Sequence, residues 1–395
     1  MLPLHGVRVL AVEQYGAGPF GTMFLADQGA EVIKIENPSD GGDMSREVGP
    51  YFFEPGDSEF FHSFNRNKKS LTLDLSRDEG RAVFHDLVKT ADAVASNLRG
   101  DVPEKLGLVY DRLKVHNPKI VCAHLSGYGR TGPRASWPGF DYLMQAEAGY
   151  FSLTGEPGGP PARFGLSIVD LMSGLGLAYA LLAALVSARA TGRGRDIDVS
   201  LFDIALHNLN YLATWYLNEG YAQDRLPRSA HPSLTPCQLY RTRDGWIYLM
   251  CNKEKFWPSL CRAIDKPEWS EDPRFRKFKD RLEHRDLITE MLDKELEKQS
   301  TAQWLEIFAG TVPAAPINNI SQALENPFVT EHGRLQNLSH STKGTYRMVA
   351  PPVRCTDEGA PARPAPALGA DTEALLRELG YDSTRIVTLR TSKVI

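Results

Sequence analysis

Residues 7–36 read VRVLAVEQYGAGPFGTMFLADQGAEVIKIE, and this stretch decides the fold. Residues 7–12 form a short apolar strand. Residues 19–28 have helical spacing with Pro19 in the first turn, and Gly29 follows as a residue that ends a helix. Residues 31–36 are a second strand, so the chain opens with a β-α-β unit. Strand-like runs return at 71–75, 93–96, 120–125 and 196–200. Between them lie helical stretches at 77–90, 110–116 and 170–189, the last running into TGRGR, and a further helix is expected over 201–220. Strands alternating with helices predict an α/β fold whose mostly parallel sheet is covered on both faces.

Composition sets the outer limits. The 395 residues include 45 Lys+Arg against 49 Asp+Glu, with 42% hydrophobic and 24% charged residues. That is ordinary soluble globular usage, and a chain this long commonly divides into two domains. Nucleic acid is not an expected partner, because phosphate binding needs a clustered positive excess. Cys122, Cys237, Cys251, Cys261 and Cys355 make an odd count without CxxC spacing. No disulfide framework and no metal site are expected, and a reducing cytoplasm is the expected location. The opening MLPLHGVRVLAVEQY has no basic n-region and carries Glu13, unlike a signal peptide. Residues 171–188 are uncharged and borderline in length for a membrane span. Ser173, Gly174, Gly176 and Tyr179, with Asp170 abutting, favour a buried core helix, so no membrane partner is expected.

The chain changes character at 226–236, which is rich in Pro, Ser and His. Beyond it, 245–251 reads as a strand and 256–264 and 285–298 as helices. The expected division is 1–225 as a large domain, 226–325 as a small one, and 326–395 as linker and C-terminal part. Residues 351–368, rich in Pro and Ala, predict an extended crossing segment before a helix at 371–379.

Gly16-Ala17-Gly18-Pro19-Phe20-Gly21 matches G-x-G-x-x-G between a strand and a helix, and Glu36 ends the next strand, as a dinucleotide fingerprint requires. Alone, the motif is compatible with an NAD-dependent dehydrogenase. It is equally compatible with coenzyme A, or with glycines that serve only a tight turn and close helix packing. What it supports is an anion-friendly helix start at the carboxyl edge of a parallel sheet.

Several further segments, in order along essentially the whole chain, resemble the class III CoA-transferase family, which includes formyl-CoA and carnitine CoA-transferases and α-methylacyl-CoA racemases. They are FNRNKKSLTLDL (64–75), SGYGRTGP (126–133), GFDYLMQAEAG (139–149), SIVDLMSGLGLAYALLAAL (167–185), TGRGRDIDVSLFD (191–203), WSEDPRFRKF (269–278), PAAPINNISQAL (313–324) and LGADTEALLRELGYD (368–382). The resemblance implies a Rossmann-like large domain built from both chain ends, a smaller inserted α+β domain, and an interlocked homodimer. It also implies transfer of coenzyme A from an acyl-CoA to a free carboxylic acid, with no tightly bound cofactor. By analogy, succinyl-CoA is the first expectation for the donor and a small dicarboxylate for the acceptor.

The resemblance makes Asp170, in SIVDLMSG, the nucleophile. A carboxylate attacking a thioester gives a mixed anhydride, which CoA thiolate converts to an aspartyl-CoA thioester; an ester on Ser or a thioester on Cys could not pass CoA to a carboxylate in this way. As a local element, Asp170 also reads as an N-cap for a helix beginning at Leu171. Gln14, Tyr15, Gly16, Ala17 and Gly18 match the loop expected over the thioester, where oxyanion donors are needed. For coenzyme A, the resemblance implies Asn37, Leu73, Asn97, Leu98, Lys105 and Tyr128, with Arg46, Lys68 and Lys69 as phosphate candidates. Arg228 and His231 are candidates for the acid.

Two departures refine this. RSAHPSLTPCQLY (228–240) stands where formyl-CoA transferases have a glycine-rich loop, which argues against an oxalate/formate pair. Racemases pair the Asp with a His in Gly-His-Asp, because two bases must exchange a proton across a carbon. Here the motif is Gly139-Phe140-Asp141, and Phe cannot carry a proton. Racemase remains the runner-up within the family; a dehydrogenase and a non-catalytic CoA-binding scaffold are the alternatives outside it.

Overall fold

Strand β1 (Arg8–Val12) carries the sequence RVLAV, and its last four residues are buried. A continuous apolar run is what a strand needs when helices cover both faces of its sheet. The computed structural model describes residues 1–355 and 362–395, and in it β1 lies within a six-stranded parallel sheet. The other strands are β2 (Glu31–Glu36), β3 (Lys69–Thr72), β4 (Ala93–Ser96), β5 (Val121–Ser126) and β6 (Arg195–Ser200), in the order β3-β2-β1-β4-β5-β6. Leu10 pairs in register with Ile33 on one side and Val94 on the other. The chain winds outward from β1 in one direction, then returns to β4 and winds outward in the other. The crevice between the carboxyl ends of β1 and β4 is therefore the switch point of the sheet, where ligands settle in doubly wound folds.

The covering helices include α1 (Ala17–Asp27), α2 (Asp78–Val88), α3 (Asp141–Glu147), α4 (Ile168–Thr191) and α5 (Leu201–Asn208). Helices α1 and α4 meet backbone to backbone. A Cβ added at Gly21 would overlap the carbonyl oxygen of Gly174, and one added at Gly174 would lie 2.5 Å from the carbonyl oxygen of Ala17. At Gly18 it would lie 2.7 Å from Cβ of Asn97. The glycine motif thus serves close packing at the switch point, one of the readings its sequence left open.

The helix expected over 201–220 is two. Asn210 takes φ 47°, and α6 (Tyr211–Glu219) starts after it; a left-handed residue cannot continue the helical ladder. Helix α4 has the length and apolar composition to cross a bilayer, and half of its most apolar stretch is buried. Its other face leaves Met172, Leu175, Tyr179 and Val186 exposed.

Two compact units emerge. The first comprises Met1–Ala148, Phe164–Asn210 and Glu331–Ile395. Leu10, Ile33 and Leu71 share one core with Leu375, Leu376, Ile386 and Val394 from the other end of the chain. The Ser70 N–H donates to the Asp371 carboxylate at 2.9 Å, which closes the free edge of β3. The second unit comprises Gly149–Arg163 and Tyr211–Thr330. Its antiparallel sheet has the order β9-β8-β7, from β7 (Cys237–Thr242), β8 (Gly245–Met250) and β9 (Ala314–Pro316). Helices α7 (Phe256–Ala263), α8 (Arg285–Leu296) and α9 (Thr301–Phe308) add Trp257, Leu292 and Trp304 to a core around Tyr240 and Ile247.

These limits differ from the expected 225 and 325. The Pro/Ser/His-rich stretch is a loop within the second unit rather than its edge, and Arg225 donates to the carbonyls of Phe151 at 3.0 Å and Gly159 at 2.6 Å. Part of the expected crossing segment 351–368 lies outside the described residues.

The α1–α4 contact is directly testable. In Gly21→Ala the added methyl meets backbone, which cannot rotate away, so the loss should reach or exceed the ~1–3 kcal/mol usual for overpacking. Urea unfolding measures it; a loss below about 0.5 kcal/mol would mean the helices have room.

Candidate active site

The turn after β1 rests on buried charge. Glu13, Lys34, Asp43 and Lys68 have no exposed side-chain surface. Lys34 Nζ lies 2.7 Å from Asp43 Oδ2, and Lys68 Nζ lies 2.8 Å from Glu13 Oε1. Lys34 also donates to the Glu13 carbonyl at 3.0 Å, and Lys68 to the Pro19 carbonyl at 2.9 Å and to Asn65 Oδ1 at 2.9 Å. Burial pushes the Lys68 ammonium down to about 8 despite Glu13. The Tyr15 N–H donates to Asp43 Oδ1 at 3.0 Å, which holds Tyr15 at φ 68°, a conformation rare for a bulky residue. From β4, Asn97 closes the crevice by accepting the Gln14 N–H at 2.8 Å and donating to the Gln14 carbonyl at 2.7 Å.

Asp170 stands in the first turn of α4. A Cβ at residue 16 would lie 3.1 Å from its Oδ2, so only glycine gives the carboxylate ample space against the loop. Asp170 is not itself the cap expected from its sequence position. Its own N–H donates to Oδ2 of Asp141 at 2.9 Å, so Asp141 on α3 supplies the capping oxygen. The first-turn N–H groups of α1, at Ala17 and Gly18, lack intrahelical acceptors and start beside Asp170. Two helix N-termini favour the carboxylate form, yet burial, followed by the like charge of Asp141, pushes Asp170 up to about 7.

Asp170 borders a cavity of about 790 Å³ with Gln14, Tyr15, Gly16, Ala17, Asn97 and Leu98. Met44, Phe60, Phe64, Phe140 and Leu171 supply apolar wall. A smaller cavity of about 260 Å³ lies over β2 and β3, lined by Asn37, Leu73 and Asp74. Gln14, Leu98 and Val102 border both. Gln14 to Ala17, Asn37, Leu73, Asn97, Leu98 and Asp170 are therefore brought around two adjoining cavities. Gly18 lies behind the loop, against Asn97.

Other candidates are committed elsewhere. Arg46 is buried and clasps Glu36 through Nε at 2.9 Å and NH2 at 2.8 Å. The same carboxylate accepts Ser70 Oγ at 2.6 Å and the Asp43 N–H at 3.0 Å. Neither Arg46 nor Lys68 is available to a phosphate, because a buried partner already matches its charge. Glu36 is equally unavailable to a ribose, which removes the acidic half of the dinucleotide reading. Lys69 pairs with Glu31 on the outer side of β2. Lys105 is exposed and reaches Asp101 at 2.5 Å, and Arg99 meets the same carboxylate at 2.7 Å. Tyr128 donates to Glu147 at 2.7 Å and borders neither cavity.

In the second unit, Arg228 pairs with Asp293 at 2.6 Å and lies 5.5 Å over the Trp246 ring, so its charge too is taken. His231 accepts the Ser233 N–H at 3.1 Å, as a turn histidine does. His124 is buried between Ser96 Oγ at 2.9 Å and Asp196 at 3.0 Å, so it offers no second base.

The sequence reading missed Asp141 as a partner of Asp170. Its place in Gly-Phe-Asp was visible, but the pairing needs α3 laid against the start of α4. Among the described residues Asp57, His62 and His340 bring three ligand-type atoms within 4.8 Å of one another. His340 Nδ1 accepts the N–H groups of Thr342 at 3.3 Å and Lys343 at 3.1 Å, so its proton sits on Nε2, 2.7 Å from Asp57. A metal ligand needs that nitrogen bare, and the group reads instead as a carboxylate bridging two imidazoles.

Comparison with known proteins agrees in breadth. The model of "CoA-transferase family III" matches residues 4–372. A succinate–glutarate CoA-transferase of Agrobacterium fabrum is 35% identical, over 95% of this chain and 96% of the relative. An acetyl-CoA:oxalate CoA-transferase of Acetobacter aceti is 36% identical, over 95% of each. The crystal structure of a CAIB/BAIF family protein from Brucella suis superposes with a TM-score of 0.80 at 31% identity, over 96% of this chain and 99% of that one.

The raised carboxyl has a consequence for stability. Near pH 6 the folded chain keeps a proton on Asp170 that an unfolded chain, with a value near ~3.9, has lost. Ionising the folded group therefore costs stability. The penalty is absent below that value, grows by about 1.4 kcal/mol per pH unit, and levels off above about 7. Asp170→Asn removes the group, so it should raise Tm clearly at about pH 8 and much less at about pH 5. An equal change at both would contradict a raised Asp170.

Proposed function

The chain belongs to CoA-transferase family III, and from that premise we propose that it moves coenzyme A from succinyl-CoA to a small dicarboxylic acid through covalent intermediates on Asp170. One observation carries the reading: a half-buried carboxylate stands against Gly16 at the switch point of the sheet, on the wall of a cavity large enough for a thioester. The Agrobacterium relative supports the choice of acids.

An Asp170 oxygen attacks the acyl carbonyl, the C–S bond breaks, and CoA leaves as thiolate. The thiolate then attacks Cγ of Asp170 in the mixed anhydride; the Cγ–O bond breaks and the first acid departs as carboxylate. The acceptor carboxylate attacks the aspartyl-CoA thioester, and the same two steps in reverse free the new acyl-CoA and Asp170. Each tetrahedral oxyanion needs donors in place beforehand; Gly16 and Ala17, on the cavity wall, offer backbone N–H groups there. Asp170 must be ionised to attack, and a carboxyl near 7 is a stronger nucleophile than one near 4.

For the rest of coenzyme A, the smaller cavity suits the adenosine and the shared border at Gln14, Leu98 and Val102 suits the pantetheine. Arg99 and Lys105, both exposed and paired with Asp101, can turn toward phosphate. Their exposed pairing with Asp101 is worth little, so a phosphate competes readily. The exposed row Met172, Leu175, Tyr179 and Val186 on α4 supports a homodimer, and five free cysteines suit a reducing cytoplasm.

One mass-spectrometric run tests the activity: the protein is given several acyl-CoAs, succinyl-CoA among them, with mono- and dicarboxylic acids in D₂O. New acyl-CoA masses are the expected result and name the acid. Deuterium gained at the α-carbon of a 2-methylacyl-CoA, with no new species, would make it a racemase. Asp170→Ala should lose more than 10³-fold in turnover while binding coenzyme A within about threefold of wild type; activity within tenfold of wild type would refute the nucleophile. Sedimentation should give twice the chain mass, and a monomer at micromolar concentration would refute the dimer.

A further inference from the structure

Gln145 has no exposed surface, although it is polar and lies one turn along α3 from Asp141. Its carboxamide is used at both ends. Nε2 donates to Asp141 Oδ1 at 2.6 Å and to the Leu166 carbonyl at 3.0 Å, and Oε1 accepts the Phe164 N–H at 2.9 Å. The second oxygen of Asp141 accepts the N–H of Asp170. One side chain thus ties down two backbone groups of the segment that feeds α4 and, through Asp141, the backbone of Asp170 itself.

Only an amide fits these demands. It must accept from a backbone N–H and also donate to a carboxylate and a carbonyl. A carboxylate in its place would face Asp141 with a second acceptor, and an aliphatic side chain would give up all three of these contacts.

We propose that Gln145 is a positioning residue for transfer: it orients Asp141 and clamps the 164–166 segment, so that Asp170 meets the thioester at a fixed place and in a fixed electrostatic setting. The proposal rests on the reading of Asp170 as nucleophile. The other ionisable groups lining the cavity are Tyr15, Tyr142 and Arg99, and Arg99 is held by Asp101. Elements packed on α4 bring His124, held between Ser96 and Asp196, and Asp203, held by Ser200 at 2.6 Å.

The test uses the full chain as wild type, Gln145→Met and Gln145→Glu. The Asp170 carboxyl is followed by ¹³C NMR, its signal assigned by its loss in Asp170→Asn, and turnover is measured with succinyl-CoA and glutarate across pH. Without that amide, Asp141 and the 164–166 segment lose the contact that fixes them relative to Asp170. In Gln145→Met the Asp170 midpoint should therefore move by half a pH unit or more, and kcat should fall at least tenfold, with KM for acyl-CoA within threefold. In Gln145→Glu the new carboxyl can donate only when protonated, so its turnover as a fraction of wild type should recover as pH falls. If Gln145→Met does not fold, the nearly isosteric Gln145→Glu carries the test alone.

Hydroxylamine trapping on wild type separates the two readings. No Asp170 hydroxamate from succinyl-CoA overturns the nucleophile and this proposal with it. A hydroxamate, with midpoint and pH profile unchanged in the variants, overturns the role of Gln145 alone.

Discussion

Two lysines and two carboxylates without exposed surface lie beneath the turn that follows β1, and the site depends on them. Glu13 and Asp43 each meet one ammonium directly, and Asp43 also takes the N–H of Tyr15. Removing one member would leave a buried charge unmatched, which typically costs about 3–5 kcal/mol. The network therefore behaves as a unit. It holds the turn in a left-handed kink at Tyr15 and presents Gly16 to Asp170 from a fixed position. Charges that looked like phosphate ligands are the foundation of the loop above them.

A second constraint acts from the other side. Gly21 and Gly174 let α1 and α4 touch backbone to backbone, which brings the first turns of both helices together. Asp170 stands where those turns meet, beside Asp141. Two opposing fields act on it. The helix starts favour its ionised form, while burial and a like charge disfavour it, and the second pair prevails. In that balance the carboxyl gives up its proton near neutrality rather than in the usual carboxylate range.

Much of this was readable from the chain alone. The strand runs, Gly29 and the glycine motif pointed to the β-α-β order and the parallel sheet, because each depends on local periodicity or on a motif contiguous in sequence; Asp170 came from the resemblance of the SIVDLMSG segment. The errors have a common physical cause. A basic residue beside a strand looks the same in sequence whether it faces solvent or a buried glutamate; Lys68 faces Glu13, just past β1, and Arg46 faces Glu36 on β2. The unit limits differ from those composition suggests because composition marks loops, whereas units are marked by contacts distant in sequence, such as Arg225 with Phe151 and Gly159.

The sequence by itself determined what local chemistry can specify: the order of elements, the family, and a carboxylate at the head of a long apolar helix. Tertiary structure alone decided which charges are spent on one another, which oxygen caps Asp170, and that Gln145 stands behind that cap. Those choices join residues from 13 to 68, or from 141 to 170, across separate elements. A buried ion pair or shared hydrogen bond exists only once folding has excluded water around both partners, and no local pattern announces it.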